Sequence, residues 1–152
     1  MYPPTNASRK TAVSSRWCKT ISSSISGSSR VGVRQDQREL YPLLLFELCS
    51  RYLSSYYTFA IEQNNSVGCS NFEMTGIPGT NYYKDDRLVE FKYFKAKEAE
   101  HMLALNDPRP EDVAQVRAYA KDTKQKFPVY NVRSYIVYIC ANKGWKCWEV
   151  TE

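Results

Sequence analysis

The stretch RLVEFKYF, residues 87–94, constrains this chain more than any other. Its β-branched and aromatic content reads as a strand, and side chains alternate faces along a strand. Val89, Phe91 and Tyr93 therefore share one side, which can pack on a helix. Glu90 and Lys92 share the other, an acid beside a base. A domain built round this strand needs an apolar cover on one face and a use for two charges on the other. E-x-K on an exposed sheet is also a common weak ion pair, so the tripeptide alone does not decide between a surface pair and a reactive edge.

The rest of the chain divides at residue 36. Residues 1–35 read as a disordered, basic, serine-rich tail. The stretch SSRWCKTISSSISGSSR lacks periodic apolar positions and cannot offset the entropy of ordering. Six basic side chains and no acid fall in residues 1–34. Fifteen basic and 16 acidic groups remain for the other 118 residues, so the net charge of +5 belongs to the tail. An organellar transit peptide shares this composition, beside the plainer reading of a flexible extension. Residues 36–152 have the aromatic and aliphatic content of one domain.

Within that domain DQRELYPLLLFELCSRYLSS reads as a helix with apolar positions 40, 43, 44, 48 and 52 on one face, Pro42 being tolerable if it sits in the first turn. Strands follow at 56–62, 68–76 and 87–94. QNNSV forms a turn between the first two, and GIPGTNYYKDD is a turn that leaves Asp85 and Asp86 solvated. AKEAEHMLAL is a short helical stretch, and a longer helix runs over roughly 111–126 with Val113, Val116, Tyr119 and Ala120 on one face. Strands at 134–141 and 145–150 flank the hairpin turn NKG. The order α-β-β-β-α-β-β predicts an α/β domain with a mixed sheet.

Five cysteines without a C-x-x-C, and a single histidine, make neither a disulfide framework nor a zinc site. Free thiols suit a reducing compartment, and a cytoplasmic location is expected. No apolar run approaches the ~20 residues that span a bilayer, so no membrane partner is expected. His101 reads as a surface residue and Cys69 as a small buried one. The tyrosines of SSYYTF, TNYYK and VYNVRSYIVY could stack on unpaired bases, although strand propensity explains them as readily. Lys95, Lys97, Arg117, Lys121, Lys124 and Lys126 could line a phosphate-binding face or an ordinary mixed one.

FAIEQNNSVGCSNFEM, RLVEFKYFK, AQVRAYAKD and a closing hairpin ending CWEV occur in that order. The pattern resembles the PD-(D/E)XK nuclease superfamily, and more closely the nuclease-like C-terminal domain of bacterial AAA-ATPase-like proteins. The resemblance covers about residues 39–150 and implies a restriction-endonuclease-like core, a central mixed β-sheet flanked by helices. It implies Mg2+-dependent hydrolysis of nucleic-acid phosphodiesters, with Mn2+ as a substitute and DNA ahead of RNA as partner. A protein partner or a homodimer is a further expectation. By the same resemblance Glu90 is a metal ligand, Lys92 orients the attacking water, and Gln115 faces the site from its helix. Glu39 loosely matches a supporting acid.

The departure is in GCSN, where the family's first aspartate is replaced by Asn71, 19 residues before Glu90. An amide oxygen can ligate Mg2+ but brings no charge, so affinity should fall. Glu62 could supply the missing carboxylate, or pair with Lys92 instead. The alternative to an impaired nuclease is an inactive nuclease-fold module that binds nucleic acid or protein. No phosphate-binding loop accompanies the domain.

Overall fold

The computed structural model describes the backbone of residues 37–65 and 68–151, and the side chains of 41–61 and 72–151. The predicted tail, residues 1–35, lies outside the described residues, as does the side chain of Cys69. Eight elements follow in order: α1 (Gln37–Leu53), β1 (Tyr57–Asn65), β2 (Gly68–Gly76), β3 (Asp85–Phe94), α2 (Ala96–Ala104), α3 (Pro110–Lys126), β4 (Asn131–Cys140) and β5 (Gly144–Val150).

The five strands form one sheet in sequence order, β1-β2-β3-β4-β5. β1 and β2 pair antiparallel, as do β2 and β3, and β4 and β5. β3 and β4 are parallel over ten residues, from Asp85 opposite Asn131 to Phe94 opposite Cys140. A parallel pair requires a crossover, and α2 and α3 supply it. This is the mixed α/β sheet with flanking helices that was expected.

Strand alternation assigns the two faces. Phe72, Met74, Val89, Tyr135, Val137 and Ile139 pack with Tyr41, Leu45 and Cys49 of α1. On the other face Phe94, Ile136, Tyr138 and Cys140 meet Ala99 of α2 and Val116 of α3, and Leu88 meets Tyr119 and Ala120. The apolar side of RLVEFKYF thus packs on a helix as predicted. The side that carries Glu90 and Lys92 is covered in part by α3.

Three local expectations need correction. α1 buries Tyr41, Leu45 and Cys49, whereas Leu43 is 54% and Tyr52 72% exposed. In YPLLLFELC apolar residues fall on every side, so periodicity could not select the stripe that the sheet selects. Pro42 lies inside α1, beyond its first turn; its ring leaves the carbonyl four residues earlier without an amide donor. Asp85 and Asp86 are not solvated: both are strand residues, 8% and 1% exposed, because β3 begins two residues early against β4. Among the described residues no helix is long and apolar enough to cross a membrane.

Candidate phosphodiester site

Glu90 is 5% exposed and sits on the α3 side of β3. Lys92 Nζ stands 3.0 Å from Glu90 Oε1. The same ammonium donates to Gln115 Oε1 at 2.7 Å. The Gln115 amide donates in turn to Glu90 Oε1 at 3.3 Å and to the Tyr119 hydroxyl at 2.6 Å. The structure therefore brings Glu90, Lys92 and Gln115 into one hydrogen-bonded cluster. The Lys92 side chain keeps 22% of its surface in solvent, so the cluster opens outward at its ammonium.

α3 supplies the rest by helical spacing. Asp112, Gln115 and Tyr119 stand at i, i+3 and i+7, one stripe of a helix. Pro110 opens the helix, where its missing N–H costs nothing, and Glu111 and Asp112 bring negative charge to the first turn. Asp112 is 3% exposed. It accepts from Arg109 Nε at 2.9 Å, from Arg109 Nη2 at 3.1 Å and from the Tyr138 hydroxyl. Its Oδ1 lies 3.8 Å from Lys92 Nζ. The Arg109 amide donates to the Tyr138 oxygen at 2.9 Å. The Arg109 guanidinium is held above its ordinary range, first by its hydrogen bond to Asp112. Burial, and then the bond to Asp112, push the Tyr138 phenol up.

Two carboxylates are thereby matched by two cations, with Lys92 between Glu90 and Asp112. In sequence Asp112 is only an acid in the first turn of a helix. Its place three residues before Gln115 was the signal that it shares the site.

Glu62 and Asn71 are placed by backbone register. They fall between the pairs Ile61 opposite Phe72 and Gln63 opposite Ser70 of β1 and β2. The β2–β3 ladder ends at Phe72 opposite Val89, one residue short of positions 71 and 90. Positions 62 and 71 thus fall opposite each other on β1 and β2, and Glu90 is one step beyond the last β2–β3 pair. The side chains of Glu62, Asn71 and Glu39 lie outside the described residues.

Among the described side chains no three His, Cys, Asp or Glu are grouped to hold a metal. By residue type, positions 62, 71 and 90 carry a carboxylate, an amide and a carboxylate, the oxygen donors a hard cation takes. His101 is exposed on α2 and takes no part. Of the expected phosphate-binding cations, Arg117 donates to the Thr151 carbonyl at 3.0 Å and Lys126 pairs with Asp122 at 2.8 Å.

A family model of the PD-(D/E)XK nuclease superfamily matches residues 38–149. No curated protein matches the sequence.

Proposed function

The chain belongs to the PD-(D/E)XK nuclease superfamily, and from that membership we propose that it hydrolyses nucleic-acid phosphodiesters at the Glu90–Lys92 edge, DNA ahead of RNA, with activity lowered by Asn71. What supports this reading most is the Glu90–Lys92–Gln115 cluster on the edge that the matched pattern E-x-K occupies, with positions 62 and 71 opposite each other on the neighbouring strands. Glu90, Glu62 and the Asn71 amide oxygen would hold Mg2+ or Mn2+, which when bound polarises a phosphoryl oxygen and acidifies a water. With Glu62 included, two carboxylates would still face the cation although the first acid is an amide.

Lys92 is the group of this chain that meets the reacting phosphate. Its ammonium offers donors to a phosphoryl oxygen gaining charge, or to the attacking water. Gln115 accepts from Lys92 and donates to Glu90, so it fixes the distance between acid and base. Asp112 keeps a second negative charge near the ammonium. Gln115 and Asp112 act through Lys92 and are positioning residues.

The second reading is a module that binds without cutting. It is favoured by one observation, the uncharged Asn71 where the matched pattern expects an aspartate. Cleavage of labelled DNA with Mg2+ or Mn2+ decides between them. The nuclease reading expects metal-dependent cleavage that Glu90→Ala abolishes and Lys92→Ala slows on the order of 100-fold. Asn71→Asp should tighten metal binding and speed cutting. A natural chain that does not cut, joined to an Asn71→Asp variant that does, establishes the binding-only reading instead.

A further inference from the structure

We infer that the cleft beside the first residues of β3 is a subsite for an unpaired nucleotide of a single-stranded nucleic acid. This rests on the nucleic-acid reading above but uses different residues, at the opposite end of β3 from Lys92. The cleft has a volume of about 330 Å³, at the small end of the roughly 300–1,000 Å³ typical of ligand sites. Its walls combine the two things that an unpaired nucleotide needs, aromatic faces and cations.

The aromatic wall is Tyr82 and Tyr83, 42% and 47% exposed. Both belong to the loop between β2 and β3, so strand propensity does not account for them. The loop is held in place. Tyr82 accepts the Asp85 amide at 2.8 Å, the Tyr83 amide bonds the Thr80 carbonyl at 3.2 Å, and Lys84 accepts the Asn131 amide at 2.6 Å. Lys84 takes a φ of 68°, an uncommon conformation for a side-chain-bearing residue. Tyr56 and Tyr57 back Tyr82 at ring distances of 5.5 and 5.1 Å. Tyr82 is thus held by its neighbours, and the Tyr83 ring, with Lys84 Nζ 5.4 Å from its centroid, stays about half exposed beside it.

The floor is polar and net cationic. Arg87, 2% exposed, donates to Asp85 Oδ2 at 2.9 and 2.7 Å, and Tyr57 adds a third bond to that oxygen at 2.7 Å. Asp85 Oδ1 is buried, accepts no hydrogen bond among the described residues, and lies 3.8 Å from Arg133 Nε. Arg133 keeps 26% of its side chain exposed. Arg87 and Arg133 face one carboxylate and Lys84 lines the same cleft, so positive charge exceeds negative there, which suits a phosphate. A duplex keeps its bases stacked on each other and cannot offer a face to Tyr83.

Anisotropy of the full chain with a labelled single strand of about 12 nucleotides, in EDTA so that no metal contributes, tests this. Tyr83→Ala should weaken binding about 5- to 100-fold, leaving affinity for a duplex of the same sequence unchanged. Arg133→Gln should also weaken it and lower the salt slope by about 0.7. Lys143→Gln, a remote surface cation paired with Glu100, should do neither, and thermal melts check that each variant is folded. No binding by the natural chain, or folded Tyr83→Ala and Arg133→Gln variants that bind within twofold of it, overturns the subsite. Loss of duplex and single-strand affinity together does so as well. Absence of cleavage with this binding intact would defeat the nuclease reading and leave the subsite standing.

Discussion

Asp86 carries a cost that its neighbours do not relieve. Its Oδ1 accepts from the Thr75 hydroxyl at 3.0 Å, whereas its buried Oδ2 finds no hydrogen bond among the described residues. Burial, and then the charge of Glu73, push its pKa up to about 7, against the lowering pull of Thr75 and the Arg87 amide. Burial raises Glu73 as well, and Lys126 draws it back. The folded chain therefore holds a proton that the unfolded chain releases near the usual carboxylate pKa. That proton's contribution to stability is complete below about pH 4, is lost as the pH rises through about 7, and returns on acidification. Asp86→Asn should stabilise the fold at about pH 8 by roughly 1–4 kcal/mol and change little near pH 4. Melting curves over that range check it, and parallel pH profiles for both proteins would sink the assignment.

Among the elements, the β2–β3 connection depends on one close approach. A Cβ on Gly76 would stand 1.8 Å from the Tyr82 carbonyl oxygen and 2.5 Å from its carbon. Both are backbone atoms, so the loop itself would have to move. Gly76→Ala should cost about 1–3 kcal/mol or more, seen as a lowered denaturation midpoint, and should displace Tyr82 from its place against Tyr57. A midpoint equal to that of the natural chain would contradict this packing.

The elements also mark what could be read from sequence. α3 was legible because its polar and apolar positions alternate with helical period, and Gln115 and Tyr119 came with it. α1 was legible as a helix but not in its facing, since YPLLLFELC lacks polar contrast. The burial of Asp85 and Asp86 was not legible at all. It follows from pairing with Asn131 and Val132, partners 46 residues away that no local pattern reveals. Tyr82 and Tyr83 were legible as turn residues, because Gly, Pro, Asn and Asp surround them in GIPGTNYYKDD. At the site, E-x-K was legible as a pair. The pairing of positions 62 and 71 required the register.

For the whole molecule, helices on both faces make thiol reactivity a gauge of integrity. Cys49 and Cys140 are 1% and 0% exposed, whereas Cys147 is only half-buried. Burial pushes the Cys49 thiol up to about 12, so it has little thiolate and no access. Peptide-resolved alkylation of the native chain should label Cys147 ahead of Cys49 and Cys140 by roughly two orders of magnitude or more. Denaturant should bring the buried pair up together with global unfolding. Prompt native labelling of Cys49 would mean that α1 does not cover the sheet.

The parallel pairing of β3 with β4 also has a consequence in time. A hairpin can close as soon as its turn is made, but this ladder must wait for residues 95–130 to be synthesised and folded into the crossover. β1, β2 and β3 are contiguous in the chain and can zip together before α3 arrives. The acid and base of β3 are therefore exposed to water on a half-built sheet until Gln115 and Asp112 close over them. The edge that awaits β4 is meanwhile an unpaired row of amides and carbonyls, open to pairing with another chain. The longest ladder of the native protein is thus also where a nascent copy is most exposed to aggregation.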